Sequence, residues 1–420
     1  MANKVTPEIA TKIKQAIVNG ETHAGIAKQF GISRGYVSDI ASGRRQGHVP
    51  WPSPTKKYDP TDKRIRELES EVLHLTEERN RERQKARANA KTEGLFQAMT
   101  SVLRQKIPAL KPLPKVKPTG KGLIEEHAVL HLSDGHHDQM VSHTECGGLE
   151  RHDFKIACCR AERLVETTLQ WTQQTLSDRF RFPVLNILSY GDHTSGEIHG
   201  AATRSYFKQQ MRNCLAIGQL HAAMYRDLAP YFDQIHVVCV PGNHGRRTPK
   251  KDYHGARDNW DYLIAEISQL YCQNLENVHF CIPNSFSVNL DINGVGFNIS
   301  HGDDVRSQMG IPWYGLQRRQ QRIQSLAPLQ SGPRIRYCCV GHFHQKGMVG
   351  SGDTELIMNG PWIATDAYAY ESFGTYTEPF QWLHGVNPKY GISWRMDVKL
   401  RDQERERKGP QRYQIHLEDE

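Results

Sequence analysis

The sequence predicts an α/β fold, preceded by a small all-α unit. Two observations carry the α/β part. Five short apolar runs end in turn residues: 127–132 (containing Ala128-Val129-Leu130-His131-Leu132), 184–188, 235–240, 295–299 and 335–340. Runs of this kind read as buried strands. Residues 155–180 and 205–230 read as helices between those strands. The third observation is the charge distribution. Residues 1–122 hold 24 Lys and Arg against 12 Asp and Glu, a balance of +12 in a chain of net charge +8, which leaves −4 for the remainder. A near-neutral domain with a basic appendage points to a polyanionic partner for the appendage.

The N-terminal elements follow from their start and stop signals. Thr6-Pro7-Glu8 opens a first helix, with Ile9, Ile13, Ala16 and Ile17 on one face and Asn19-Gly20 as its stop. Residues 22–30 form a second helix with Ile26, Ala27 and Phe30 apolar. Gly31-Ile32-Ser33 is a tight turn, and Ser33 caps a third helix over 34–42 whose Val37 and Ile40 face inward. The stretch from Gly25 to Ile40 resembles helix-turn-helix DNA-binding domains, so a domain is expected over 1–48. That resemblance implies that the third helix enters the major groove. It turns Arg34, Tyr36, Ser38 and Asp39 toward bases or phosphates, while Arg44 and Arg45 hold the backbone. The alternative is a helical bundle for protein contacts.

Residues 60–106 read as a charged helix. Ile65, Leu68, Val72 and Leu75 repeat at coiled-coil spacing for about two heptads, so a homodimer through 62–78 is expected, against a solvated spacer helix. The basic part from Arg79 to Lys91 could also lie on nucleic acid. Residues 107–122 are rich in Pro and Lys and read as an extended linker. The main domain is expected over 123–400, with a turn at Asn359-Gly360 and a charged tail over 401–420.

Composition bounds the rest. A chain of 420 residues suits two or three units. It has no run of about 18 apolar residues and no apolar signal core at its start, so a cytoplasmic protein without a membrane partner is expected. Nine cysteines without a Cys-x-x-Cys pair read as reduced thiols.

The strand ends carry the chemistry. In order they are Asp134-Gly135-His136, Gly191-Asp192-His193, Gly242-Asn243-His244, Ser300-His301-Gly302 and Gly341-His342-Phe343-His344. Asp, Asn and His supply the oxygen and nitrogen ligands that divalent cations take, and strand C-terminal ends are where α/β sheets place ligand sites. Two ions about 3.5–4 Å apart are a standard device for phosphoester hydrolysis.

This series, over roughly residues 125–365, resembles the calcineurin-like metallophosphoesterase superfamily. The resemblance implies a four-layer β-sandwich flanked by helices. It implies one metal on Asp134, His136, Asp192 and His344, a second on Asp192, Asn243, His301 and His342, and Asp192 as the bridge. His244 is then the histidine that polarises the phosphate or protonates the leaving oxygen. Two divalent ions are implied, Mn²⁺ first, with Fe, Zn²⁺ and Ni²⁺ also suited to this ligand set.

The chain departs from the pattern after Asp192. Where protein-dephosphorylating members read Gly-Asp-x-x-Asp-Arg-Gly, it reads Gly191-Asp192-His193-Thr194-Ser195-Gly196-Glu197. This argues against a phosphoprotein phosphatase. It leaves His193, Glu197 and His199 as candidates to orient His244. Arg246, Arg247, Lys250, Lys251 and Arg257 follow His244, and either grip a polyanion or form a solvated loop; Arg204 and Lys208 are weaker candidates of the same kind. The expected function is a two-metal phosphodiesterase or nuclease on DNA, similar at motif level to the nuclease subunits of double-strand-break repair complexes. The alternatives are a phosphoesterase for nucleotides or other small esters, and a DNA-binding regulator with a vestigial catalytic domain. The combination of modules looks bacterial or bacteriophage.

Overall fold

The computed structural model describes residues 5–52, 60–115, 123–198, 204–251, 255–305, 312–326, 329, 333–415 and 417. The chain forms two compact units, Met1–Lys85 and Ala86–Glu420.

In the first unit, α1 (Pro7–Val18), α2 (His23–Phe30) and α3 (Arg34–Ala41) surround one apolar cluster. Each helix starts on a hydroxyl cap: Thr6 accepts from the Ile9 N–H, Thr22 from Gly25 and Ser33 from Tyr36. Such caps contribute about 1 kcal/mol each. Gly31 takes the left-handed φ of 64° that ends α2. Ile13, Ile26, Val37 and Ile40 are fully buried. Lys14 is also buried, and its ammonium donates to the carbonyls of Gln46 (3.1 Å) and Val49 (2.5 Å).

A long helix, α4, spans Pro60–Lys106. The side chains of Ile65, Leu68 and Val72 lie outside the description, and Leu75 is exposed. Within the second unit, Phe96, Met99 and Leu103 of α4 pack on the main core.

The second unit is built on two sheets. After the short β1 (Ile124–Glu125), β2 (His127–Leu132) begins the larger sheet. Helix α5 (Phe154–Leu169) leads to β3 (Phe180–Arg181), which pairs with β1, and to β4 (Val184–Ser189). Helix α6 (Gln210–Leu228) precedes β5 (Gln234–Cys239), and α7 (Trp260–Tyr271) precedes β6 (Val278–Cys281). The smaller sheet takes β7 (Ser287–Ile292), β8 (Val295–Ser300), then α8 (Trp313–Leu326), β9 (Ile335–Val340), β10 (Gly347–Ser351) and β11 (Thr354–Met358). After α9 (Ala367–Phe373), β12 (Phe380–Asn387) and β13 (Gly391–Lys399) return to the larger sheet, and α10 (Gln403–Lys408) follows.

The larger sheet has the order β13-β12-β2-β4-β5-β6, with β2, β4, β5 and β6 parallel. The smaller is β10-β11-β9-β8-β7. Alternation along the strands separates their two faces. Val129, Leu188 and Val238 of one sheet meet Phe297, Ile299 and Ile357 of the other. The outer face of the larger sheet, with Leu130, Ile187 and Val237, is covered by α5, α6 and α7. The outer face of the smaller, with Cys338, Val340 and Met358, is covered by α8 through Leu316. The result is the expected α/β fold, a four-layer sandwich of two sheets flanked by helices.

Several boundary expectations need correction. Helix α5 gives way at Gln170 to a wider π turn ending at Thr175, and residues 204–209 are not helical. The 107–115 segment is irregular, as its prolines require, but it is strapped to the second unit. Ile107 is buried, the Leu110 N–H donates to the Tyr271 carbonyl at 2.9 Å, and Lys115 reaches the Phe232 carbonyl at 3.3 Å. Residues 116–122 of that linker lie outside the described residues. The 401–415 segment is likewise no free tail. Fully buried Arg160 of α5 pairs with Glu406 (2.9 Å), and buried Tyr413 donates to Asp227 (3.2 Å). All nine cysteines are unpaired and all but Cys281 are buried. Among the described residues no helix is long and apolar enough to cross a membrane.

Candidate metal centre

Each of the five motifs sits just past a strand end: β2, β4, β5, β8 and β9 in turn. The backbone there is strained. Among the described residues seven non-glycine positions have positive φ, and five of them belong to the motifs: Asp134 (53°), His136 (39°), Asp192 (55°), His342 (68°) and His344 (51°). Such conformations cost about 1–3 kcal/mol each and persist where the surroundings over-determine them.

The side chains converge. Asp192 Oδ2 lies 2.8 Å from His301 Nε2, which is also 3.0 Å from Asn243 Oδ1. Asp192 Oδ1 accepts the His244 backbone N–H at 2.8 Å. Asp134 Oδ1 accepts the His342 N–H at 2.7 Å and stands 3.4 Å from His344 Nε2. The His136 ring is 4.6 Å from that of His244 and 5.2 Å from that of His344, and the His301 and His342 rings are 5.2 Å apart. Two sets could each hold an ion: His136, Asp192 and His244, and Asp192, His301 and His342. Asp192 is common to both. The first set brings in His244, whereas the resemblance places Asp134 and His344 there.

Charge balance follows from burial. Burial disfavours ionisation of both carboxyls, yet Asp192 is held well below its usual range by the His301 and His244 rings, and Asp134 is lowered by His344. Against the same burial, the Asp192 carboxylate raises His301 to about 10, and Asp134 raises His344. Burial, then the charge on His301, pushes His342 down to about 4. Burial and its histidine neighbours keep His136 well below 6.5.

The supporting contacts come from residues outside the five motifs. Asp261, in the first turn of α7, accepts the backbone N–H groups of Asp192 (2.9 Å), His193 (3.0 Å) and Gly242 (2.9 Å), locking the second and third motifs together. The Tyr190 carbonyl, 2.9 Å from His301 Nδ1, accepts its N–H and turns Nε2 toward the cluster. Ser133 donates to Asp134 Oδ2 at 2.5 Å and is held by Asn359 at 3.0 Å. Asn359-Gly360 is therefore no surface turn: the Asn359 amide is buried and also accepts from the Trp382 N–H at 3.1 Å.

His244 is oriented by a backbone carbonyl, that of Ser195, 3.0 Å from Nδ1. Buried Asp138 holds that loop through the Ser195 N–H (2.8 Å). His193 faces Ser189 Oγ at 2.7 Å, Glu197 is exposed, and His199 lies outside the described residues.

The basic residues after His244 are largely engaged with their own unit. Arg246 donates to the Asn243 carbonyl (3.0 Å), Arg247 pairs with Asp258 (3.0 Å), Lys251 with Asp303 (2.9 Å) and Arg257 with Glu93 (3.6 Å). Lys250 and Lys208 are exposed, and exposed Arg204 pairs with Glu145. In the first unit Arg34, Ser38, Arg44 and Arg45 are exposed and Tyr36 is half-buried. The Arg45 guanidinium stands over the Tyr36 ring at 4.6 Å, and both Arg44 (3.6 Å) and Arg45 (3.4 Å) lie near Asp39.

No family model and no curated protein sequence matches the chain. Solved structures that resemble it include an archaeal phosphodiesterase, 10% identical over 64% of this chain and 99% of that one, with a TM-score of 0.28. Wild-type Vps29 from Entamoeba histolytica, complexed with zinc, is 11% identical over 65% and 99%, at 0.27. A predicted phosphoesterase from Streptococcus pneumoniae TIGR4 is 8% identical over 65% and 97%, at 0.25. These scores are too low to transfer a function.

Proposed function

We propose that the chain is a two-metal phosphoester hydrolase of the calcineurin-like type, acting on phosphodiester bonds of DNA. The observation that carries the hydrolase reading is the shared position of Asp192 between two ligand sets on strained strand-end backbone. The donor set fits: His136 Nε2 is buried without a partner, as a metal-binding nitrogen would be. Asp134, His136, Asp192 and His344 would hold one ion, and Asp192, Asn243, His301 and His342 the other. Two such ions supply an activated water and neutralise phosphoryl charge. The chain's own part is orientation and proton transfer. The Ser195 carbonyl accepts the His244 Nδ1–H, which leaves the Nε2–H as the proton to be given to the departing oxygen.

The DNA part rests on the +12 balance of residues 1–122 and on exposed Arg34, Ser38, Arg44 and Arg45 near Tyr36. Pairing of two copies through 62–78 is part of the same proposal, with exposed Leu75 on its seam. One observation favours the small-ester reading. Arg247, Lys251 and Arg257 are matched by acidic partners, so the segment after His244 offers no unpaired basic track through them.

The test is incubation with Mn²⁺ and, separately, linear DNA, circular DNA and a bis-aryl phosphodiester. Cleavage of DNA is expected; turnover of the ester alone would remove the nuclease reading. The Arg44→Ala/Arg45→Ala variant is expected to lower the slope of log affinity for DNA against log salt by about 2. An unchanged slope would remove these arginines from the interface.

A glycine tests the geometry. A Cβ on Gly242 would overlap Asp192 Oδ1. Displacement by about 1 Å can cost on the order of 100-fold in rate. Gly242→Ala is therefore expected to lose about that much turnover, with circular dichroism unchanged.

A further inference from the structure

We propose that His137, His193 and His221 form a separate metal site that takes Zn²⁺. One ring nitrogen from each lies within 4.8 Å of the other two. All three residues are buried. Their ring centroids stand 4.7, 5.2 and 6.2 Å apart. The two shorter distances match the 4.6–5.2 Å between the histidine rings of the candidate metal centre. His137 Nε2 and His221 Nε2 are 3.1 Å apart. Tetrahedral ligands about 2.0–2.1 Å from zinc stand about 3.4 Å from one another.

Further contacts read as a built site. His193 Nδ1 is buried without a partner among the described residues. His193 Nε2 meets Ser189 Oγ at 2.7 Å, the kind of outer contact that fixes a ligating ring. A Cβ on Gly135 would overlap the His137 imidazole, so the glycine clears room for that ring. Buried Trp362 closes over His137 edge-to-face at 4.4 Å. A set of imidazoles with no carboxylate suits Zn²⁺ better than Mn²⁺.

The placement gives the site a purpose. His137 directly follows His136, His193 directly follows Asp192, and His221 lies on α6. An ion on the three would clamp the loops after β2 and β4 to that helix, which makes these histidines positioning residues.

The site does not depend on the two-metal reading, and its test keeps the two apart. Full-length protein is stripped, loaded with Zn²⁺ alone, desalted, and its zinc counted by mass spectrometry. His221→Phe is expected to lose one zinc per chain relative to wild type, whatever the wild-type total. Asp192→Ala is expected to keep that equivalent. Equal zinc in wild type and a folded His221→Phe would overturn the proposal. If His221→Phe does not fold, anomalous diffraction from zinc-loaded wild-type crystals decides. A peak bonded to the three rings is expected; no peak among them overturns the site.

Discussion

Asp192→Ala is expected to lower metal-dependent phosphodiester turnover by at least about 10³-fold, or about 4 kcal/mol of transition-state stabilisation. Three contacts make this residue decisive. It belongs to both ligand sets, it pairs with His301 at 2.8 Å, and it accepts the His244 N–H at 2.8 Å. Alanine removes the only group that both ions would share. It also removes the carboxylate that accepts the His244 backbone N–H. The fold should survive, because the Asp192 N–H is held independently by Asp261 at 2.9 Å. Divalent-metal stoichiometry should fall in parallel. A folded Asp192→Ala protein with near wild-type turnover would remove Asp192 from the mechanism.

The metal-free protein is expected to unfold steeply in acid. His131, His137, His152, His221 and His384 are buried, and burial pushes each imidazole down, His131 to about 3. Their contacts need neutral rings: His131 meets Tyr190 Oη at 2.7 Å and His384 at 2.9 Å, and His152 lies 3.5 Å from the Arg160 guanidinium. Above the unfolded value of about 6.5, neither state binds protons at these rings. As pH falls below 6.5 the unfolded chain takes up protons that the folded chain refuses, until the lowered folded values are reached. Each ring then removes about 1.4 kcal/mol per pH unit. Five together remove about 7 kcal/mol per unit, against a total stability of about 5–15 kcal/mol. His301, raised to about 10, has the opposite sign: its contribution is complete below 6.5 and is lost toward pH 10, so it does not offset the acid slope. Urea midpoints measured in chelator should drop sharply between pH 7 and 5.5. A flat profile over that range would contradict the buried, neutral state of these rings.

The strand-end placement of the seven candidates was legible because buried strands announce themselves as apolar runs. Thr6 and Ser33 were legible as caps for the same local reason. Asp261 was not. A single Asp in a helix's first turn carries no sign that it will bridge to a backbone N–H 69 residues away. The partner of His244 was missed because a backbone carbonyl has no residue identity to read. Asn359-Gly360 has the composition of a turn, yet tertiary hydrogen bonds to Ser133 and Trp382 claim its amide instead. The basic run after His244 shows the converse. Its charge was visible in sequence, but the acidic partners that match it come from other segments.

The most direct measurement is turnover of a bis-aryl phosphodiester by full-length protein stripped of metal and then titrated with Mn²⁺. No turnover is expected in the metal-free protein, and activity should rise to a plateau at two equivalents in the centre built on Asp192. His244→Ala should bind the metal and yet turn over the ester far more slowly. Turnover without metal, a plateau in wild type matched by His244→Ala, or no turnover with Mn²⁺, Fe, Zn²⁺ or Ni²⁺ would contradict a two-metal phosphoester hydrolase.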